Sequence, residues 1–286
     1  MAVRRAAPAK LNLYLHVLGR RADGYHLLDS LVAFADVGDE VTAAPAAALS
    51  LALDGPFAPA LAGEKPDGNL VWRAAIALAG RAGRAPAVAL TLRKNLPVAS
   101  GIGGGSSDAA ATLAALAELW QLDLSSPRFA DLAAALGADV PVCLLGRTAW
   151  LGGVGEAVTP APALPAAWVV LANPGVAVST PAVFKAREGA FSAPARFEAG
   201  APDAAALASL LQARRNDLTE AAISVAPEIS DVLAALQSLP DALLTRMCGS
   251  GATCFALFAT EAAARAGAQR LASTRPRWWV AAAQLL

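Results

Sequence analysis

The segment at residues 97–107, P-V-A-S-G-I-G-G-G-S-S, constrains the fold of this chain more than any other. Four glycines stand within positions 101–105, and glycine can adopt positive φ and lets a ligand approach the backbone closely. The segment runs into an Ala-rich pattern in which Leu113, Leu116 and Trp120 recur at helical spacing. A helix N-terminus offers unpaired N–H groups and a partial positive charge to an anion. A tight structural turn needs fewer glycines, so the segment predicts a phosphate-binding loop.

The loop matches neither of the two common nucleotide-binding motifs. A Walker A motif requires a lysine directly after its last glycine, and none follows here. A dinucleotide motif would need Ser106 in place of its last glycine and an acidic residue at the end of a second strand, where this sequence continues a helix. The side chains of Ser106, Ser107 and Asp108 are all good N-cap types and predict that the helix begins at them.

Composition excludes several classes of protein. Hydrophobic residues make up 56% and charged residues 16%, yet no apolar run approaches the length of a membrane span. Lys10, Asn12 and His16 interrupt the apolar stretch near the start, which argues against a signal peptide. The 23 acidic and 23 basic residues balance, and the three cysteines lack the spacing of metal ligands. We therefore expect a cytoplasmic protein without nucleic-acid or membrane partners.

Two further segments stand out near the ends of the chain. In P-A-K-L-N-L at residues 8–13, leucines alternate with polar residues, so Lys10 and Asn12 share one face of a predicted strand. That face is either solvated or lines a cleft. In G-S-G-A-T-C at residues 249–254, a glycine pair between two β-like runs predicts a bulge, a turn or a close backbone approach.

The remaining pattern interleaves strands and helices irregularly, which favours an α+β fold. A turn at Asp23-Gly24, followed by residues 27–34 and 36–41, is typical of a β-hairpin, residues 43–66 of a loosely structured stretch, and residues 70–78 of a helix. Apolar residues at helical spacing from 229 to 239 predict a further helix, and residues 278–281 an edge strand. In G-A-D-V-P, Asp139 occupies an N-cap-like position before a short helix that extends through Leu145. An isolated aspartate there simply caps the helix unless a second observation gives it another role.

The three motifs resemble, in order and spacing, those of the GHMP kinases, such as galactokinase, homoserine kinase and mevalonate kinase; Ile102 stands where leucine is usual. R-R-A-D-G-Y-H at 20–26, N-L-V at 69–71 and G-A-D-V-P at 137–141 narrow the resemblance to one subfamily. Its members phosphorylate the 2-hydroxyl of a cytidyl diphosphate sugar alcohol in the non-mevalonate isoprenoid pathway. The resemblance covers nearly the whole chain and is weak at 43–66 and 185–210.

The resemblance implies a two-domain α+β architecture with the active site in the interdomain cleft. The N-terminal, ATP-binding domain would span residues 1–155, and a ferredoxin-like C-terminal domain would span residues 156–286. ATP and Mg²⁺ would be required. Asp139 would act as base or orienter at the acceptor hydroxyl, with Lys10 beside it, which lifts Asp139 above the capping interpretation.

The resemblance also assigns binding residues. The ATP phosphates would lie against the loop residues Pro97, Val98, Ala99, Ser100, Gly101, Ile102, Gly103, Gly104, Gly105, Ser106 and Ser107. Adenine would lie near Asn69, Leu70, Val71 and Lys94, and the cytidyl substrate would contact Asn12, Tyr25, His26 and Phe184. The Ser107 hydroxyl would lie near Mg²⁺; alternatively Ser106 takes that role, or Ser107 only caps the helix.

Two alternative functions remain open. A GHMP relative of different chemistry, such as mevalonate diphosphate decarboxylase or homoserine kinase, would lack the 20–26 and 137–141 segments. A catalytically dead relative that senses ligands would have lost Lys10 or Asp139, and both are present.

Overall fold

The computed structural model describes residues 1–63 and 65–286, which form ten β-strands and nine α-helices. The strands are β1 (Val3–Arg20), β2 (His26–Pro45), β3 (Ser50–Asp54), β4 (Val88–Arg93), β5 (Ala149–Gly152), β6 (Ala157–Pro160), β7 (Trp168–Asn173), β8 (Leu244–Met247), β9 (Cys254–Phe258) and β10 (Trp279–Gln284). The helices are α1 (Leu70–Ala82), α2 (Gly104–Trp120), α3 (Leu132–Leu136), α4 (Val140–Leu145), α5 (Thr180–Ala186), α6 (Ala204–Gln212), α7 (Thr219–Val225), α8 (Glu228–Gln237) and α9 (Glu261–Thr274). This mixture confirms the α+β class.

The described chain divides into two compact units. The first unit consists of Met1–Ala9, Gly38–Val98 and Gly103–Gly146; the second consists of Lys10–Val37, Ala99–Ile102 and Arg147–Leu286. The long strands β1 and β2, which pair with each other, and the glycine loop each contribute residues to both units.

The first unit contains a small sheet and the helices α1 and α2, which pack against each other. Strand β3 pairs parallel with β4, and β4 pairs antiparallel with residues 40–45 of β2. The Asn69 side chain caps α1 by accepting a hydrogen bond from the Val71 N–H over 2.9 Å, and Gly83 ends the helix in the left-handed conformation. The predicted start of α1 is confirmed, and the helix continues four residues further than its apolar pattern indicated, from Leu78 to Ala82.

Helix α2 begins earlier than its serines predicted. Its N-cap is Gly103, at φ 63°, and no side chain caps it, so the prediction that the helix begins at Ser106, Ser107 or Asp108 was wrong. A glycine tolerates the left-handed backbone that this entry into the helix requires. The first turn of α2 therefore starts inside the glycine run, with its N–H groups uncapped by any side chain.

In the second unit, a four-stranded antiparallel sheet has the strand order β10-β7-β9-β8. Helices α8 and α9 pack on it, and α8 buries Ile229, Val232 and Leu236, as their helical spacing predicted. The strands on either side of residues 249–252 and the edge position of β10 are also confirmed. Elsewhere in this unit, residues 30–32 of β2 pair with β5, which pairs with β6.

The hairpin prediction is confirmed in part, because β1 and β2 pair with each other on either side of the turn that contains Asp23-Gly24. Residues 27–34 and 36–41 are not separate strands, however: they belong to the single strand β2, whose hydrogen-bond partners change from β5 to β4 without a turn. The stretch 43–66 is not loosely structured throughout: it contains the end of β2, strand β3 and a short 3-10 helix at Ala58–Leu61. Within the described residues, no helix is long and apolar enough to cross a membrane.

Candidate active site

Three motifs that are far apart in sequence meet through their main chains in the second unit. The Lys10 N–H donates to the Ile102 carbonyl over 2.9 Å, and the Thr253 N–H donates to the Ser100 carbonyl over 3.1 Å. Main-chain hydrogen bonds thus connect the glycine loop both to Lys10 in β1 and to residues 248–253. This is the arrangement that gives the three sequence motifs one location.

Glycine is required where the loop meets residues 248–251. A Cβ added at Gly101 would lie 2.5 Å from the Gly251 carbonyl oxygen and 2.7 Å from that of Cys248. One added at Gly249 would lie 2.5 Å from the Gly101 carbonyl oxygen. Both glycines also have positive φ, 79° and 53°, so the contact excludes side chains on steric and conformational grounds.

Lys10 and Asn12 lie side by side on β1, as the alternation predicted, but their face is buried rather than solvated. Lys10 Nζ donates to Asn12 Oδ1 over 3.0 Å. The Asn12 N–H donates to Cys248 Sγ over 3.2 Å, which connects β1 to the third motif. The ammonium and amide are therefore held within a packed region of the second unit.

In the first unit, the second half of the loop forms the start of α2. The Ser107 hydroxyl, predicted to lie near Mg²⁺, donates to the Pro8 carbonyl over 2.7 Å and contacts Cys143 Sγ at 3.4 Å. Ser107 is buried within the first turn and does not cap the helix, so the capping alternative was wrong. The serine connects the loop to the proline of the P-A-K-L-N-L motif.

Lys94 lies in a buried cluster of three charges in the first unit. Its ammonium pairs with the Asp39 carboxylate and, over 2.8 Å, with Asp108 Oδ2. Asp39 Oδ1 also accepts the N–H groups of Asn95 and Leu96, over 2.6 and 2.8 Å. The predicted adenine-contacting lysine is thus bonded to two carboxylates, directly beneath Gly104, where an added Cβ would lie 3.0 Å from Nζ.

One ammonium cannot neutralise two buried carboxylates. Asp39 holds two main-chain N–H groups besides Lys94, whereas Asp108 Oδ1 is buried without a hydrogen-bond partner. Burial raises the pKa of Asp108 to about 7; Lys94 opposes this rise and the Asp39 charge adds to it. Burial alone would lower the pKa of Lys94, but the Asp108 and Asp39 charges outweigh it and raise that pKa.

Asp139 lies at the N-terminal end of α4 in the first unit, where the sequence predicted it. Its side chain makes no capping hydrogen bond, and Pro141 occupies the first turn of the helix. Proline lacks an N–H group, so the helix start needs fewer acceptors. The capping role does not account for an aspartate at this position.

The predicted cytosine-contacting residues belong to the second unit. His26 and Phe184 stack, with ring centroids 5.0 Å apart and 22° between the ring planes. Burial, followed by the charges of Arg20 and Arg187, lowers the pKa of His26, which favours the neutral imidazole. Tyr25 follows a turn at Asp23-Gly24 and is 64% exposed. The fold therefore brings two of the three together and leaves the third ring accessible.

The other predicted ATP-binding residues are divided between the two units. In the first unit, Asn69 caps α1, Val71 is buried beneath it, and a Cβ at Gly105 would lie 3.4 Å from Leu70 Cδ1. Before the glycines, Ala99 adopts a positive φ of 51°, which is unusual for a residue with a side chain. Pro97 and Ser100 are buried, whereas Val98 and Ser106 are partly accessible.

Sequence reasoning missed Asp39, Ser30 and Cys248 as members of these clusters. Asp39 carried no sequence signal, because its burial follows from the fold and its partner Lys94 is 55 residues away. Ser30 and Cys248 carried none, since their partners at position 12 are distant in sequence.

Models of the GHMP kinases N terminal domain and the GHMP kinases C terminal domain match residues 69–147 and 198–276, respectively. Proteins named 4-diphosphocytidyl-2-C-methyl-D-erythritol kinase from Cereibacter sphaeroides and Paracoccus denitrificans are 57% and 58% identical to this chain. The alignments cover 98% of this chain and 98% of the first relative, and 99% of this chain and 96% of the second.

A crystal structure of 4-(cytidine 5'-diphospho)-2C-methyl-D-erythritol kinase matches with a TM-score of 0.79 and 36% identity, over 99% of this chain and 98% of the other. Homoserine kinase from Cytophaga hutchinsonii shares the fold, with a TM-score of 0.70 and 17% identity over 99% of this chain and 94% of that one. The motifs, the two domain matches and the full-length relatives agree, and the chain belongs to the 4-diphosphocytidyl-2-C-methyl-D-erythritol kinase family of GHMP kinases.

Proposed function

We propose that this protein transfers the γ-phosphoryl group of ATP to the 2-hydroxyl of 4-diphosphocytidyl-2-C-methyl-D-erythritol, in the non-mevalonate isoprenoid pathway. The observation that carries the proposal is the main-chain junction of Lys10, the loop at 100–102 and residues 248–253, in a chain with full-length relatives of that name. The proposal includes a domain division near residue 155 and action in the cytoplasm, as expected from the sequence.

The loop fits the triphosphate of ATP. Gly103 enters α2 without a side-chain cap, so the N–H groups of the first turn can donate to phosphate oxygens. Helix α2 has 17 residues, and its dipole favours negative charge at this end. Glycines at 103–105 keep Cβ atoms out of the approach.

The proposal includes a Mg²⁺ ion that binds together with the ATP phosphates. No group of three acidic, histidine or cysteine side chains in residues 1–63 and 65–286 could hold a metal ion. The chain's own contribution would be the Ser107 hydroxyl, which gives its hydrogen to Pro8 and keeps its oxygen lone pairs. When bound, the ion neutralises charge on the phosphates.

Asp139 and Lys10 would carry the chemistry. Phosphoryl transfer passes through a loose transition state and needs orientation and charge neutralisation more than a strong base. The Asp139 carboxylate would orient the acceptor hydroxyl and take its proton. The Lys10 ammonium, held by Asn12, would offset negative charge on the transferred group.

A substrate-panel assay tests the proposal. ADP release is measured with 4-diphosphocytidyl-2-C-methyl-D-erythritol, mevalonate and homoserine as acceptors, and ³¹P NMR locates the new phosphate. We expect turnover with the cytidyl substrate only and a phosphomonoester at its 2-position. Comparable turnover of mevalonate or homoserine, or none with the cytidyl substrate by folded protein, would overturn the proposal.

A further inference from the structure

A buried chain of hydrogen bonds leads from Lys10 into the second unit. Lys10 Nζ donates to Asn12 Oδ1 over 3.0 Å, and Asn12 Nδ2 donates to Ser30 Oγ over 2.8 Å. Ser30 Oγ in turn donates to the Tyr14 carbonyl oxygen over 2.5 Å. Lys10, Asn12 and Ser30 are 4%, 3% and 0% exposed, so bulk water does not replace these bonds.

The chemistry of the two end groups, the Lys10 ammonium and the Tyr14 carbonyl, determines which group donates in each hydrogen bond. An ammonium only donates, so Asn12 must turn its oxygen toward Lys10 and its NH₂ toward Ser30. A carbonyl only accepts, so the single hydroxyl hydrogen of Ser30 goes to Tyr14. Ser30 therefore has only lone pairs to offer Asn12, which is what the amide NH₂ requires.

The orientation of the Asn12 amide depends on this hydroxyl. With alanine at position 30, the buried Asn12 NH₂ would lose its acceptor, and a buried unpaired donor is costly. Rotation of the amide by half a turn would then present NH₂ to the Lys10 ammonium, two donors facing each other.

We propose that Ser30 is a positioning residue that orients the Asn12 amide and, through it, the Lys10 ammonium toward the transferred phosphoryl group. The assignment rests on the proposed function of Lys10. It predicts an effect on the chemical step rather than on ATP affinity, because none of the three side chains belongs to the phosphate loop.

Steady-state kinetics of Ser30→Ala and Ser30→Thr test this role. Ser30→Ala should lower kcat at least about tenfold while the KM for ATP stays within about twofold. Ser30→Thr keeps a hydroxyl on the same carbon and should retain kcat within about threefold. Thr112→Val is the matched control: it also removes a fully buried hydroxyl, one bonded to the Asp108 carbonyl within α2, and should leave kcat within about twofold.

A double-mutant cycle separates positioning from a general structural effect. If Ser30 acts through Asn12, adding Ser30→Ala to Asn12→Ala should lower kcat no further. Independent, multiplying effects on kcat would overturn the proposal. So would wild-type kcat in folded Ser30→Ala, or a tenfold loss in folded Ser30→Thr.

The same cycle measured by urea unfolding does not depend on activity. We expect the double variant to lose less free energy of unfolding than the sum of the two single losses, since both variants break the same chain. Additive losses of unfolding free energy would show that Ser30 and Asn12 are not coupled through this chain of hydrogen bonds, and would overturn the proposal. An inactive wild type would overturn the proposed function, and the unfolding cycle would still decide whether Ser30 is coupled to Asn12.

Discussion

At the scale of single residues, the proposed reaction depends on both Lys10 and Asp139. Asparagine at 139 cannot take a proton, and alanine at 10 removes the cation, so each change should lower kcat by at least about 100-fold. The double variant should be little worse than the poorer single variant, as for groups that act as a unit. Steady-state kinetics on samples of matched thermal stability would measure this; near wild-type turnover by Asp139→Asn contradicts the assignment.

The buried carboxyl of Asp108 predicts a pH dependence of stability. Its pKa is about 7 in the folded protein against 3.8 unfolded, so the folded state binds the extra proton. The resulting stabilisation is fully present below about pH 4 and is lost as pH rises through 7. Relative to Asp108→Asn, which does not titrate, wild type should lose up to about 4 kcal/mol of unfolding free energy between pH 4 and pH 8.

Urea unfolding of wild type and Asp108→Asn at several pH values measures that difference. Lys94 and Asp39 remain in both proteins, so their own titration largely cancels. A difference in unfolding free energy that stays constant from pH 4 to pH 8 would show that Asp108 is ionised throughout.

The charge cluster also marks a limit of prediction from sequence. Asp39, Lys94 and Asp108 lie on β2, after β4 and on α2, and no local pattern connects them. Asp108 was visible only as an N-cap type, because propensity describes a residue's own backbone and not the burial that surrounds it. Lys10 and Asn12 were different: strand alternation alone placed them on one face.

At the scale of elements, the glycine loop makes a prediction with an internal control. Gly101→Ala places a Cβ 2.5 Å from the Gly251 carbonyl oxygen at a φ of 79°. We expect it to destabilise the protein by about 2 kcal/mol or more and to raise the KM for ATP. Gly80→Ala lies within α1 with nothing within 4 Å of the added atom, and should stabilise the protein by about 0.5–1 kcal/mol.

Thermal unfolding and ATP titration of both variants provide the comparison. Because the same methyl group is added in each, a general effect of alanine cancels. Equal stability of the two variants, with unchanged KM for ATP, would mean that the loop does not need its close contact with residues 248–251.

Elements with local signals were predicted well. Asn69 predicted the start of α1, and the apolar spacing from Ile229 to Leu239 predicted α8, because capping and amphipathicity act within a few residues. The start of α2 was missed because two serines are better caps by propensity than Gly103, yet the chain enters the helix through a left-handed residue. Strand β3 was missed because its parallel partner β4 lies more than 30 residues later.

At the scale of the whole molecule, the fold joins segments that propensity cannot connect. The order of the three motifs identified the family, and the family supplied the expectation that Lys10 and the glycine loop belong to one active site. Contacts such as Asn12 with Cys248 and Ser30 come from the topology of β1 and β2, and a single sequence does not encode pairing register in any local pattern.

The proposed cytosine recognition depends on another contact between segments that are distant in sequence. His26 begins β2 and Phe184 lies in α5, and their rings stack in the second unit. The lowered pKa of His26 favours a neutral ring, which has one donor and one acceptor for a base edge. Cytosine offers an exocyclic amine and an acceptor at N3, whereas uracil offers a carbonyl and an N3–H.

A site complementary to one pattern leaves buried groups unpaired against the other, at roughly 1–3 kcal/mol for each group. Wild type should therefore prefer the cytidyl over the uridyl substrate by at least about tenfold in kcat/KM. Phe184→Ala should weaken both substrates alike, since stacking does not read the ring edge, whereas His26→Ala should erode the preference itself. Equal kcat/KM for the two substrates with wild-type protein would show that His26 and Phe184 pack against each other without selecting the base.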